Sequence, residues 1–461
     1  MEKKSPFRKI ISFLMLAIVI YLLIQVYGVY KEKNLNDFIR AEQNLYTSTF
    51  TRDFNIKTGN KASYKIESTK FNDAMFFKEM EVTPNTSYKV SCLVKTQDVV
   101  AKTPNKGGGA QISIEGTITR SDYITGTNDW TELTLYFNSK NRTKVNIGFR
   151  LGGYDDVCTG TAWFDNISVK RGITDKSNEW NFVFLIFNNI DVKLDQNGVM
   201  KQYKISMGND EIQTLMENMA RFKSSFEEFS EKKMQLNYDI IQIYEPITSL
   251  SYDEKNAYYV SPEDIHTVLE RYLNMKEYDH IFVGVKLGDL TENIEIPVRD
   301  WIGLGGMEYR GLGFSNIRLP NNSKSYVYRY APRTNEFPEE VFVHEFLHTF
   351  ERNAKEFGYE RPELHDNEKF GYENQKVNGL KNWYIAYMNH TIKDSKGDTY
   401  GLPQEVYTLK PVHESDFSYY STIDIEHEPQ NIIEEIRDLI KNFIRLFQKV
   451  KLEYINPQGE S

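Results

Sequence analysis

The run Ile10–Tyr30, IISFLMLAIVIYLLIQVYGVY, holds about twenty residues without a charge. A helix of that length and polarity crosses the hydrocarbon core of a bilayer. Lys3, Lys4, Arg8 and Lys9 precede it. Positive charge is retained on the cytoplasmic side, so residues 1–9 read as a cytoplasmic tail, 10–30 as a transmembrane anchor, and the rest as exported. A cleaved signal peptide is the rival reading. Its apolar core would be shorter and a small-x-small site would follow, and neither feature is found here.

Beyond that run the composition is globular, with 26% charged and 40% hydrophobic residues in 461, enough for roughly two or three domains. The formal charge of −9 argues against nucleic acid, which needs a basic surface. Cys92 and Cys158 are the two cysteines. Export permits a bridge between them, but one pair is no disulfide framework, and two buried thiols are an equal alternative.

Residues 31–45 are polar and read as a stalk with some helical character. From 46 to 171 the pattern has period two: Tyr88–Lys95, Thr131–Phe137 and Val145–Leu151 alternate, the last placing Val145, Ile147, Phe149 and Leu151 on one face. Turn clusters at 83–87, 105–109, 125–129 and 138–142 separate these runs. Many short antiparallel strands so spaced form a sandwich or jelly roll.

The segments PNTSYKVS (84–91), GTNDWTELTL (126–135), VNIGFRLG (145–152) and GTAWFDNISV (160–169) follow in that order. Together they resemble the carbohydrate-binding modules of the galactose-binding-like jelly-roll superfamily. The resemblance implies an all-β sandwich whose partner is a cell-surface polysaccharide. Tyr123 and Tyr154, in loop-like context, are the glycan-binding candidates. Trp130 and Trp163 sit where the superfamily packs its core, and Asp165 is placed for the structural Ca2+ many such modules carry.

A hydrophilic linker, 172–179, leads into a different texture over 180–461. Trp180–Val192 reads as a buried strand, Asp210–Lys232 as a helix, and Asn237–Tyr244 and His280–Leu287 as further strands. Ser261-Pro-Glu-Asp opens another helix. The glycine-rich stretch Gly303–Ile317 and the strand Tyr326–Tyr330 complete an α/β layer. Near the C-terminus, Ile432, Ile436, Leu439, Phe443 and Phe447 form an amphipathic helical stripe.

Within this layer a helix opening at Pro338 carries His344-Glu345-Phe-Leu-His348. Histidines four apart share one helical face and can grip one zinc ion, while the glutamate between them reaches water on that ion. Val343, Phe346, Leu347 and Phe350 form the opposite, apolar face. The strand–helix order ending in this motif resembles the zincin metallopeptidases. That likeness implies a zinc-dependent peptide hydrolase with Glu345 as the catalytic base. It also implies a glycine-rich edge strand bordering the substrate cleft, for which Gly303–Ile317 is the candidate.

A catalytic zinc normally takes three protein ligands. Phe357-Gly358 and Pro362 end the helix, and the segment Arg361–Asp366 is the first able to return to the metal. His365 is the first choice of third ligand, with Glu368 and Asp366 as alternatives. Glu351 shares the histidine face and suits orienting a ligand ring. Tyr384, Tyr387 and Tyr372 are candidates to donate to an oxyanion, as tyrosines do in many zincins. The remaining histidines read as structural or solvated. Two other functions fit the same residues: a non-catalytic surface adhesion protein, and a zinc amidase acting on cell-wall material.

Overall fold

The computed structural model describes residues 38–425 apart from 60–61, 104–105, 154–155, 197, 274–275, 290–291, 300, 320–336 and 375. The Ile10–Tyr30 anchor, Tyr154, the Tyr326–Tyr330 strand and the C-terminal stripe lie outside the described residues. Among those described, no helix is long and apolar enough to cross a membrane.

The first half forms two antiparallel sheets facing each other, a β-sandwich. One has the order β1 (Ile39–Glu42), β4 (Ala74–Glu81), β8 (Lys144–Gly152), β6 (Gly109–Ile114). The other runs β2 (Ser48–Asp53), β3 (Ser63–Asn72), β9 (Cys158–Arg171), β5 (Ser87–Ala101), β7 (Gly126–Asn138). The alternating residues do what their period demands: Val145, Ile147, Phe149 and Leu151 are all buried between the sheets. Cys92 and Cys158 are there too, both as free thiols, and burial pushes the Cys158 thiol up to about 12.

Three boundaries differ from the sequence reading. The sandwich starts before residue 46, because Phe38 is buried against Tyr64, Phe76 and Phe149 and draws Ile39–Glu42 into the sheet. Residues expected in a stalk are therefore an edge strand, with Phe38 in the core. The 172–179 segment is no free linker. Gly172 N–H donates to Ser87 O, Ile173 N–H to Asp416 O, and Lys410 pairs with Asp175 at 2.8 Å. From there the chain returns, and Ser421–Ile423 pairs with β9 beside Ile425, which joins the sandwich core.

The second half is built on a five-stranded sheet in the order Gln235–Ile243, Glu179–Phe187, His280–Val285, Leu312–Arg318, Gly303–Tyr309. The first three junctions are parallel, and the edge junction is antiparallel. Its central strands are apolar on both sides, as a sheet covered on two faces requires. Trp180, Phe182, Phe184 and Ile186 face the helices Asn209–Phe229, Glu340–Glu356 and Gly379–Met388. Val183, Leu185 and Phe187 face a second core with Val192, Tyr203 and Leu269.

The expected Trp180–Val192 strand breaks at Asn188, whose N–H donates to Ile243 O. Beyond it Ile190, Val192 and Leu194 alternate with charged residues, and this period-two stretch pairs with Val199–Ser206 in a separate hairpin. Gly303–Ile317 is likewise two strands rather than one, turning at Arg310-Gly311.

The two halves meet through charged pairs at that turn. Arg310 donates to Asp122 of the sandwich, through Nε at 2.8 Å, and lies 3.2 Å from Glu270. Arg120 pairs with Glu263 at 2.8 Å, and Lys140 with Glu356 at 3.3 Å. Tyr123, expected as an open glycan platform, instead lines a cavity of about 30 Å³ beside Glu263, His266, Tyr309 and Arg310. Asp165 accepts from Thr58, through N–H at 2.5 Å and O–H at 2.8 Å.

His280 lies wholly inside this architecture, 3.1 Å from Ser315 Oγ and 3.4 Å from Thr349 Oγ1. Burial, helped by the charge of Arg352, lowers it to about 3. The unfolded chain protonates histidine near 6.5. Between those values the unfolded state holds the extra proton, so this contribution to stability is present above the window and lost as pH falls through it. Wild-type protein should therefore lose about 2 kcal/mol more than His280→Gln between pH 7 and pH 5, read from urea midpoints. Equal losses would remove His280 as the cause.

Candidate metal centre

The Glu340–Glu356 helix packs Phe342, Val343, Phe346, Leu347 and Phe350 into the core below the sheet. That leaves His344 and His348 on its outer face, as their spacing dictates. The chain then turns at Gly358 and comes back, placing His365 beside them. One ring nitrogen from each of His344, His348 and His365 lies within 4.8 Å of the others. Their ring centroids are 4.8 to 5.2 Å apart.

Each helical histidine is oriented from behind. His344 Nδ1 is 2.9 Å from Tyr384 Oη, which also donates to Glu340. His348 Nδ1 is 2.8 Å from Glu351 Oε2. With Nδ1 occupied, Nε2 of each ring is the nitrogen left for an ion. Two imidazoles held in this way, with the His365 ring beside them, fit the donor set of a zinc site.

The return of His365 has its own fastenings. Leu364 N–H donates to Glu351 Oε1 at 2.7 Å, and Arg361 Nε to Glu351 O at 3.0 Å. Trp383 Nε1 donates to Leu364 O, and Tyr387 Oη to Pro362 O. The two carboxylate alternatives are placed elsewhere. Asp366 pairs with Lys369 at 3.3 Å, and Glu368 is exposed in the short turn Asn367–Phe370.

Glu345 is buried beneath the edge strand. A Cβ at Gly303 would collide with its carboxylate, so only glycine allows this approach. Burial drives Glu345 up to about 7, against the pull of His348 and a hydrogen bond from Gly305 N–H. Burial would lower His348, but the bond to Glu351 and the charge of Glu345 outweigh it and raise it. Glu351 would be raised by burial, and the His348 and Leu364 bonds pull it well below the usual carboxylate range instead.

The sequence named three tyrosines as oxyanion donors, and all three are engaged otherwise. Tyr384 is committed to His344 and Glu340, Tyr387 holds the Pro362 carbonyl, and Tyr372 packs on the Trp383 ring. Spacing alone could not reveal these partners. The other described histidines are structural: His266 meets Tyr309, His390 the Gly401 carbonyl, and His413 Asp279.

The three histidines and Glu345 open into a cleft of about 1030 Å³. The Gly303–Gly306 backbone forms one wall, and Lys255 and Trp301 contribute from neighbouring loops. Lys255 was not singled out by sequence. It tips the hairpin formed by Ser251–Asp253 and Ala257–Tyr259.

If the three nitrogens form the metal site, His365→Ala should weaken zinc binding by more than about 100-fold. Glu351→Ala should cost about 10- to 100-fold, the range for residues that orient ligands. Chelator competition on purified protein measures both. Equal losses from Glu368→Ala and His365→Ala would overturn the assignment.

No family model matches the chain, and no curated protein matches it. Solved structures do. A CBM4 module is 15% identical with a TM-score of 0.21, covering 30% of this chain and 87% of that one. A family 35 carbohydrate binding module from Clostridium thermocellum is 12% identical with a TM-score of 0.19, covering 29% and 95%. The enzymatically active domain of tailspike protein 4 from bacteriophage CBA120 is 13% identical with a TM-score of 0.24. The match spans 30% of this chain but only 20% of that domain.

Proposed function

We propose that the chain is a zinc-dependent metallopeptidase, anchored in a membrane by Ile10–Tyr30 and acting outside the cytoplasm. The observation that carries this reading is the convergence of His344, His348 and His365 beside the buried Glu345. Zinc bound by these nitrogens supplies Lewis acidity toward water and an amide carbonyl. Glu345 does the proton work. A carboxylate raised to about 7 takes a proton from water and gives it to the departing amine without a large penalty near neutral pH.

The wall of the cleft favours peptide over cell-wall amide. Among the described residues Gly303–Tyr309 is the last strand of its sheet, and an edge strand can take an extended chain as a further strand. Glu345→Gln should lower peptide hydrolysis by at least about 100-fold while zinc content, measured by atomic absorption, stays at the wild-type level. Undiminished turnover in that variant would sink the mechanism.

The sandwich's glycan-binding role, with Tyr123 as its candidate platform, has its support in the two-sheet fold. A second role is favoured by the Asp122–Arg310 pair, which grips the turn of the edge-strand hairpin. Asp122→Ala should raise KM for peptide roughly threefold, the size of a partly exposed ion pair, with zinc content unchanged. An unaltered KM would show that the sandwich does not brace the cleft.

A further inference from the structure

The cleft is lined by four carboxylates, Glu340, Glu345, Glu351 and Glu363, and four cations, Lys255, Arg352, Lys355 and Arg361, and most of these have partners within the protein. Glu340 receives the Tyr384 hydroxyl, Glu351 holds His348 and Arg361, and Glu363 pairs with Arg361 at 3.3 Å. Arg352 donates to the Gly306 and Met307 carbonyls and lies 3.8 Å from Glu308. Two cations are left, Lys255 and Lys355. Both side chains line the cleft, both are exposed, and among the described residues neither forms an ion pair.

Their positions differ. Lys255 sits at the tip of its hairpin, held by the bonds of Asn256 to Arg299 N–H and Trp301 Nε1, and lines the same cleft as His344, His348 and His365. Lys355 lies seven residues beyond His348 on the same helix, about 10 Å along its axis. An extended peptide covers that distance in about three residues. A fixed pair of unpaired cations on a substrate cleft selects opposite charge and repels like charge.

We infer that the substrate is an acidic peptide, with one carboxylate recognised by Lys255 beside the three histidines and a second, about three residues along, by Lys355. The inference rests on the peptidase reading and adds the class of peptide. The carboxylate at Lys255 could belong to a side chain or to a free C-terminus, and the same chemistry serves both.

The test uses paired peptides that differ only by Glu against Gln, each with a free and an amidated C-terminus. Binding is measured by fluorescence anisotropy on the zinc-loaded Glu345→Gln protein, and cleavage on wild type. Acidic peptides should bind about fivefold more tightly than their neutral partners, the size of an exposed ion pair. The preference should fade at high salt. Lys255→Met should reduce it toward one, Lys255→Glu should reverse it, and Lys255→Arg should retain it. A preference following the free terminus rather than Glu supports a carboxylate site filled by the chain end. Cleavage of neutral and acidic peptides alike, with no change in Lys255→Glu, would overturn the inference and leave the peptidase standing. Failure of the zinc-loaded wild type to cleave any peptide would overturn both.

Discussion

The Glu351 carboxylate is the interaction on which the site depends. One oxygen meets His348 Nδ1 and the other accepts the Leu364 N–H. The first bond fixes the rotation of a ring on the helix. The second pins the residue next to His365, on a loop that has left the helix and turned back. One side chain therefore sets the relation between two elements that share no secondary structure. Its own charge is preserved by those bonds, which outweigh the cost of its burial.

Around that bridge, the packing serves the same end. Trp180, Phe182 and Phe346 make edge contacts beneath the helix, and these interlocked rings hold it against the sheet. The sheet in turn sets the edge strand 303–309 over Glu345. The sandwich meets the far end of that hairpin through Asp122 and Arg310, and receives Ser421–Ile423 as an added strand. The two halves are thus tied at the 172–175 segment, the Arg310 turn, the Lys140–Glu356 pair and the returning chain. A free tether would have left the edge strand supported on one side only.

Sequence made some of this legible and not the rest, for physical reasons. His344, Glu345 and His348 are bound to one face by helical period, so spacing alone placed them. His365 followed from the need to reverse after Gly358. Period-two alternation located the sandwich core at Val145–Leu151. By contrast, the role of Tyr384 depends on a helix packing across the site, 40 positions beyond His344, and no local pattern encodes that contact. Phe38 was invisible because one aromatic in a polar stretch gives no period. Tyr123 is half-buried near Glu263 and Tyr309 of the other half, a neighbourhood that no local pattern encodes.

The three histidines are not held alike, and this bears on how the site is assembled. His344 and His348 are each locked by a partner behind the ring. Among the described residues the His365 ring makes no hydrogen bond, and it is the most exposed of the three. Its backbone is nevertheless fixed from either side by Leu364 and by the Asp366 N–H, which donates to Glu363 O. Only the side-chain rotamer of His365 therefore remains to be ordered when an ion arrives, a cost of about 0.5–1.5 kcal/mol. Ordering the whole 361–366 segment would cost about 1–2 kcal/mol per residue. Glu351 thus acts before any metal does: it spends folding energy to keep the third donor within reach, so that affinity for the ion is not consumed in closing the loop.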